Sequence, residues 1–171
     1  MTPQPTPRLR FREWRDDDLA FARALFGDSR VTALVGGPFD DAQIAARLGA
    51  ELATQRAHGY AYWPIALRDH DGVDIGCCGL KPRDATSLEL GYYLLPEFWG
   101  GGYAVEATRA VAAHAFEAFG VAELFALHHP ENYGSGRVLD KAGFIYSHHE
   151  LYPPTGLMHR GYVLRKPITA R

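Results

Sequence analysis

Residues 60–95 constrain the fold most, because three runs with strand periodicity follow one another there with only short turns between them. The runs read YAYWPIALRD, DIGCCGLKP and SLELGYYLL. The first run places Trp63, Ile65 and Leu67 on one face, as a half-buried strand requires. Connections this short join strands that pair antiparallel. The segment therefore predicts a three-stranded meander, with one turn at Asp71-Gly72 and a second turn in RDAT.

Helical periodicity is present in four further segments. Residues 15–28 have aspartates near their start, one of which can cap a helix, and contain a glycine that can end it. Residues 41–58 repeat apolar side chains at Ile44, Leu48 and Leu52 and are followed by a glycine stop. The other two helices are predicted over about residues 104–119 and within residues 131–143.

Strand patterns at both ends of the chain complete the prediction, at residues 8–14, 122–129, 144–152 and 159–166. The resulting order is typical of a single mixed, mostly antiparallel twisted sheet of about seven strands with about four helices packed on it, an α/β (α+β) fold. Neither a repeat nor a linker interrupts the pattern. Residues 8–171 are therefore predicted to form one domain, preceded by a flexible arm of residues 1–7.

The composition excludes several classes of protein. With 18 basic and 20 acidic residues the formal net charge is −2, so no basic face for a nucleic acid is expected. The N-terminus lacks the apolar core of a signal peptide, and no apolar run approaches the roughly 20 residues of a membrane span. The adjacent Cys77 and Cys78 point to opposite faces of a strand and are expected to be buried thiols. We therefore predict a cytoplasmic protein with no nucleic-acid or membrane partner.

Three successive glycines, Gly100, Gly101 and Gly102, lie between a predicted strand and a predicted helix. The first turn of a helix has unpaired N–H groups at the positive end of its dipole, and glycine lets an anion approach them. A nucleoside triphosphate loop would need Gly-Lys and then Ser or Thr, which is absent. A dinucleotide loop would need G-x-G-x-x-G, but Ala104 follows two residues after the last glycine, and the nearest acid on the next strand, Glu123, is at its start. The diphosphate of coenzyme A, or a tight connection without a ligand, remains.

Two longer motifs decide between these possibilities. One reads GYYLLPEFWGGGYAVEA from Gly91, and the other reads HPENYGSGRVLDKAGF from His129. Their residues, order and spacing resemble the GNAT superfamily of acyl-CoA N-acyltransferases, and most of all its branch of ribosomal-protein N-terminal acetyltransferases (RimJ/RimL-like). The order of elements is similar to that family from residue 8 to residue 166, which is nearly the whole chain.

The resemblance implies transfer of an acetyl group from acetyl-CoA to a primary amine by direct attack in a ternary complex. The acceptor would be a protein N-terminal α-amine or a small-molecule amine. It also implies a sheet that splits between the fourth and fifth strands, where an N–H near Tyr92 polarises the thioester, and a possible homodimer. The residues expected to bind acetyl-CoA are Tyr92, Tyr93, Leu94, Leu95, Trp99, Gly100, Gly101, Gly102, Tyr103, Ala104, Val105, Asn132, Ser135 and Arg137.

Two residues are candidates for catalysis. Glu89 is the only acid in an otherwise apolar strand, and a partly buried carboxylate is a better general base; a solvated outer-face side chain is the alternative. Other family members carry a tyrosine acid where this chain has Leu139. Ser135 is therefore the candidate acid toward the leaving thiolate, with a helix cap or unassisted departure of the thiolate as alternatives. Glu106, in the first turn of its helix, is explained by the helix dipole.

Other features remain without a catalytic role. Trp99 stands where the superfamily often has Gln or Arg, and a packing role is expected. The histidine pairs at 128–129 and 148–149 lack the spacing of metal ligands, so no metal is expected. A non-catalytic acyl-CoA-binding domain and a nucleotide-binding module are the competing functions. The acceptor should be shaped by two predicted loops, residues 31–41 and 151–159.

Overall fold

One sheet organises the molecule. In the computed structural model, which describes residues 1–69, 72–84 and 87–167, the strands are β1 (Leu9–Phe11), β2 (Tyr62–Leu67), β3 (Asp74–Pro82), β4 (Leu88–Leu94), β5 (Glu123–His128), β6 (Ile145–Tyr152) and β7 (Leu157–Arg165). Their order across the sheet is β1-β2-β3-β4-β5-β7-β6. Only the pairing of β4 with β5 is parallel among the strands described. The predicted mixed, mostly antiparallel sheet of seven strands is confirmed.

Five α-helices are present in the described residues, rather than about four. They are α1 (Leu19–Phe26), α2 (Ser29–Thr32), α3 (Asp41–His58), α4 (Tyr103–Ala118) and α5 (Tyr133–Ala142). The additional helix, α2, is a single turn, and 3-10 turns occupy Ala33–Val35 and Pro96–Phe98. Among these helices none is long and apolar enough to cross a membrane.

The sheet has one core on each face. Alternation along β4 sends Leu90 and Tyr92 toward α4 and α5, whereas Tyr93 packs toward α1 and α3. Alternation along β2 likewise sends Trp63, with Ile65 and Leu67, to the α4 and α5 face. The prediction that these three side chains share a face is confirmed. The site described below lies where β4 contributes to both faces.

The parallel strands β4 and β5 separate soon after they meet. Their register covers only Leu88 with Leu124 and Glu89 with Phe125. On its other side β5 pairs with β7 along its whole length. The rest of β4 therefore diverges from β5, which confirms the predicted split between the fourth and fifth strands.

Local signals explain the best-predicted helix. Asp40 accepts a hydrogen bond from the backbone N–H of Gln43, and Oε1 of the Gln43 side chain accepts one from the backbone N–H of Asp40. This capping box starts α3. At the other end Gly59 is left-handed, with a φ of 74°. Both ends of α3 agree with the prediction.

Several predicted boundaries differ from the structure. No aspartate side chain caps α1, because the Asp18 carboxylate receives Arg12 Nη1 at 2.6 Å instead. The strand over residues 8–14 is reduced to Leu9–Phe11. Residues 31–41 are not only a loop, since they contain the end of α2 and a 3-10 turn.

The predicted loop at residues 151–159 is wrong. Strand β6 continues to Tyr152 and β7 begins at Leu157, and Leu151 pairs directly with Met158. Only residues 153–156 form a turn. The two consecutive prolines and the glycine indicated a longer loop, although they belong to the turn alone. Of the two turns predicted in the meander, Asp71 and residues 85–86 lie outside the described residues, and Gly72 has a φ of 73°.

Candidate active site

A cavity of about 760 Å³ lies where β4 and β5 diverge. Its walls come from β4, the end of β5, the glycine loop, the start of α5 and the segment after α2. Most of the predicted site residues line it together, namely Glu89, Tyr92, Tyr93, Leu94, Trp99, Gly100, Gly102, Tyr103, Ala104, Val105, Asn132, Ser135 and Arg137. The structure therefore brings the two sequence motifs to one place.

Two predicted site residues do not line the cavity. The backbone N–H of Leu95 donates to the carbonyl of Ile75 at 2.9 Å, and its side chain packs on the α1 and α3 face. The carbonyl of Gly101 accepts from Arg8 Nη1 at 2.8 Å. Both residues are engaged with other parts of the fold.

The glycine loop places the start of α4 against the cavity. Gly100 and Gly102 have φ values of 78° and 80°, a backbone conformation that favours glycine. The first intrahelical bond runs from Glu106 N–H to the Gly102 carbonyl, so the N–H groups of Tyr103, Ala104 and Val105 have no partner within the helix. These groups, at the positive end of the helix dipole, can receive an anion.

Trp99 connects the end of β4 to the glycine loop. Its indole N–H donates to the carbonyl of Leu94 at 2.9 Å, and its side chain is 52 % exposed. The sequence indicated only a packing role. The hydrogen bond shows that the side chain also holds the turn that leads into the loop.

Glu89 lies inside the cavity and is not solvated on an outer face, since only 9 % of the residue is exposed. Its carboxylate pairs with Lys81 Nζ at 2.8 Å and with Arg83 Nη1 at 3.5 Å. Burial opposes protonation of Lys81, but the adjacent Glu89 carboxylate outweighs burial and raises the pKa of Lys81. Lys81 therefore stays cationic beside Glu89 at neutral pH.

Arg83 is shared between two carboxylates. Besides Glu89 it binds Glu150 on β6, and its guanidinium lies 4.5 Å from the centre of the Phe125 ring. Glu150 also accepts from His148 at 3.0 Å. Burial opposes ionisation of Glu150, but His148 and Arg83 outweigh it and lower its pKa. Glu150 thus completes the charge balance around Arg83 without lining the cavity.

The start of α5 separates the roles of Asn132 and Ser135. The Asn132 side chain accepts from the backbone N–H of Ser135 at 3.0 Å, so Asn132 is the helix cap and Ser135 is not. The carbonyl of Ser135 accepts from the Tyr92 hydroxyl at 3.1 Å. The hydroxyl of Ser135 makes no hydrogen bond to any residue that the structure describes. It is therefore available to a ligand in the cavity.

Replacing Asn132 with Ala should lower the free energy of unfolding by about 1 kcal/mol, because the cap of α5 is lost. Urea denaturation followed by circular dichroism measures this change. Ser135→Ala is the matched control and should change stability by less than about 0.5 kcal/mol, as expected for a side chain without a structural bond. Equal losses in the two variants would contradict the assignment of the cap.

Buried histidines at the cavity were not identified as site residues from the sequence. His128 Nδ1–H donates to the carbonyl of His129 at 2.7 Å, which leaves its Nε2 as the acceptor near the Tyr162 hydroxyl. Burial lowers the pKa of His128 and lowers that of His159 to about 4, so both rings are neutral near pH 7. Strand alternation across β5 and β7 was the only sequence signal for their burial. No group of three potential ligands is placed to hold a metal among residues 1–69, 72–84 and 87–167.

Comparison with known proteins gives the same family as the motifs. The sequence profile of the acetyltransferase (GNAT) domain matches residues 8–145. The FsC-acetyl coenzyme A-N(2)-transacetylase of Aspergillus fumigatus is 36% identical over 170 residues, covering 89% of this chain and 70% of that protein.

Solved structures share the whole architecture. An acetyltransferase from Agrobacterium tumefaciens superposes with a TM-score of 0.83 at 26% identity, covering 97% of this chain and 95% of that one. The ribosomal L7/L12 alpha-N-protein acetyltransferase RimL, solved with coenzyme A, superposes with a TM-score of 0.79 over 95% of this chain and 96% of that one. At 13% identity, RimL shows a common fold.

Proposed function

The chain belongs to the GNAT acetyltransferase family and is an acyl-CoA-dependent N-acetyltransferase, and we propose that its acceptor is an α-amine, a nitrogen next to a carbonyl-bearing carbon. The observation that carries the proposal is the position of Glu89 in the same cavity as the glycine loop, paired with Lys81 and Arg83. This family membership favours an enzyme over a non-catalytic acyl-CoA-binding domain or a nucleotide-binding module.

In this proposal the donor lies along the split in the sheet. The N–H groups of the glycine loop and of the first turn of α4 hold the diphosphate of acetyl-CoA. The pantetheine arm follows β4, whose backbone groups are released where the strand leaves β5. The N–H near Tyr92 then polarises the thioester carbonyl. The other wall of the cavity is formed by the cap of α5, Asn132, and by the α5 residues Ser135 and Arg137.

The proposed reaction has one attack and two proton transfers. Glu89 takes a proton from the acceptor ammonium, directly or through a water molecule, and the free amine attacks the thioester carbon. The carbon–sulfur bond breaks and the electron pair leaves on the thiolate of coenzyme A. The attacking nitrogen loses its second proton as it becomes an amide, and the unengaged hydroxyl of Ser135 relays that proton: it gives its own proton to the sulfur and accepts the one from the nitrogen. Because a thiol has a low pKa of about 8.5, the thiolate needs little help from an acid to leave.

The ion pairs of Glu89 favour an α-amine over a lysine-like amine. Lys81 and Arg83 compete with a substrate ammonium for the carboxylate. An α-amine, with a pKa of about 7.8, is about one-third neutral near pH 7.5, whereas a lysine amine, with a pKa of about 10.4, is only about 0.1% neutral. The α-amine therefore depends less on access to Glu89. The N(2) position in the name of the Aspergillus relative also supports such an acceptor.

An acceptor panel tests the proposal. With acetyl-CoA near pH 7.5, we expect kcat/KM for amino-acid amides and peptides with free N-termini to exceed that for Nα-acetyl-lysine amide by about 300-fold, in line with the neutral fractions. Release of coenzyme A thiol measures turnover. A lysine side chain preferred over every α-amine would contradict the acceptor class. Tight binding of coenzyme A without turnover on any amine would contradict the proposed reaction.

Two further expectations stay proposals, a homodimer and a cytoplasmic location. Exposed apolar side chains are concentrated on the β6–β7 hairpin, including Leu151 and its cross-strand partner Met158, at 56% and 49% exposure. This surface supports association of two copies. Light scattering in solution gives the mass, and a monomer at all concentrations would exclude the dimer.

A further inference from the structure

Arg8, just before β1, reaches across to the glycine loop. Its Nη1 donates to the Gly101 carbonyl at 2.8 Å, and its Nε donates to Glu106 Oε2 at 2.6 Å. Its guanidinium also lies 4.5 Å from the centre of the Tyr103 ring. The Arg8 side chain therefore contacts the loop at Gly101 and the first turn of α4 at Tyr103 and Glu106.

Glu106 is engaged by the N-terminal segment from several directions. Besides the Arg8 side chain, its carboxylate accepts from the Arg8 backbone N–H at 3.0 Å and from the Thr6 hydroxyl at 2.6 Å. Burial opposes ionisation of Glu106, but the hydrogen bonds from Thr6 and Arg8 outweigh it and lower its pKa. The carboxylate therefore remains charged at neutral pH and holds Arg8 in place; this hold weakens only in acid.

The bond to Gly101 fixes the orientation of a peptide group in the loop. In a trans peptide the C=O and the following N–H point in opposite directions. Because the Gly101 carbonyl points to Arg8, the N–H of Gly102 points away from it. Gly102 lines the cavity and Gly101 does not. Arg8 thus fixes the orientation of one N–H group of the loop, on the side away from its own guanidinium.

We propose that Arg8, held by Glu106, is a positioning residue for the diphosphate of coenzyme A: it preorganises the glycine loop so that the N–H groups face the cavity before the cofactor arrives. This inference rests on the proposed donor site. It assigns Arg8 and Glu106 to cofactor affinity, and neither residue takes part in proton transfer. An acetyl donor that lacks the diphosphate gains no affinity from this arrangement of N–H groups.

The test compares two donors that differ in the diphosphate. For Arg8→Ala we expect the Kd of coenzyme A, measured by calorimetry, to rise about tenfold, and kcat/KM for acetyl-CoA to fall about tenfold. With S-acetylpantetheine, which lacks the diphosphate and the nucleotide, kcat/KM of Arg8→Ala should stay within about twofold of the wild-type value. Arg8→Lys keeps the charge and should recover part of the affinity, and it replaces Arg8→Ala if that variant does not fold.

Arg68→Ala is the matched control. Arg68 Nη1 donates to the Thr6 carbonyl at 2.8 Å, so it anchors the same N-terminal segment without contacting the loop or Glu106. The affinity of Arg68→Ala for coenzyme A should equal that of the wild type. Equal losses with both donors, an unchanged Kd in Arg8→Ala, or equal weakening in Arg68→Ala would overturn the proposal. Calorimetry needs no acceptor, so a wild type that binds coenzyme A but acetylates no amine would refute only the proposed reaction.

Discussion

Replacement of Glu89 with Gln is expected to lower kcat by about 10- to 100-fold near pH 7, less than a positioned general base can contribute, because about one-seventh of an α-amine with a pKa of about 7.8 is already neutral. Glutamine keeps the size and the hydrogen-bonding reach of the side chain but cannot accept a proton. As the pH rises, a growing fraction of the acceptor amine enters the site already neutral. The deficit of the variant should therefore shrink with rising pH. Measurement of kcat from about pH 6 to pH 10, at saturating acetyl-CoA, follows both effects.

Glu150→Gln is the matched control for this experiment. Glu150 shares Arg83 with Glu89 but does not line the cavity. Its replacement should change kcat by less than about threefold at every pH, as expected for a residue outside the reacting groups. A deficit in Glu89→Gln that stays constant with pH would contradict the role of a base. That result would assign Glu89 to holding Lys81 and Arg83 instead.

The elements predicted best from sequence are those whose signals lie close together in the chain. Asp40 and Gln43 are three residues apart, and Gly59 directly follows the helix that it ends. The meander was equally clear, because short turns leave only one way for β2, β3 and β4 to pair. The misread hairpin between β6 and β7 shows the limit of such signals. Pro153, Pro154 and Gly156 mark a turn, but they do not say how soon the strands resume on either side.

The contacts that define the candidate site are mostly not local. Glu89 was identified because a single acid stood in an apolar strand, but its partner Lys81 faces it only through the register of β3 with β4. Arg8 and Glu106 are separated by 98 residues along the chain. Helix-dipole reasoning explained Glu106 without a partner, since nothing in the local sequence connects the two. The family motifs gave the location of the site, and the fold supplies the charges that surround it.

The roles at the start of α5 also depended on geometry finer than a motif. Asn132 and Ser135 both suit a helix N-terminus, so residue type alone does not tell which of them caps the helix. Their separation by three residues is what lets the Asn132 side chain reach the Ser135 N–H. Once Asn132 caps the helix, the hydroxyl of Ser135 has no structural task. That leaves Ser135 as the candidate acid on α5, where Leu139 is buried and apolar.

Replacement of Gly100 with Ala is expected to raise the Kd of coenzyme A by about 10- to 100-fold, through loss of charge-assisted hydrogen bonds to the diphosphate. Gly100 lines the cavity with a φ of 78°, and a methyl group added there would meet no protein atom within 4 Å. The substitution therefore removes space from the ligand and not from the fold. It also strains the left-handed backbone by roughly 1 kcal/mol.

Gly59→Ala is the control that separates the effect of backbone strain from the effect of blocking the ligand. Gly59 has a φ of 74° and equally open surroundings, but it ends α3 and does not line the cavity. Both variants should lose about the same free energy of unfolding, roughly 1 kcal/mol. Only Gly100→Ala should lose affinity for coenzyme A, as measured by calorimetry. If Gly100→Ala bound coenzyme A as tightly as Gly59→Ala, the loop would be a tight connection between β4 and α4, and the diphosphate would have to bind elsewhere.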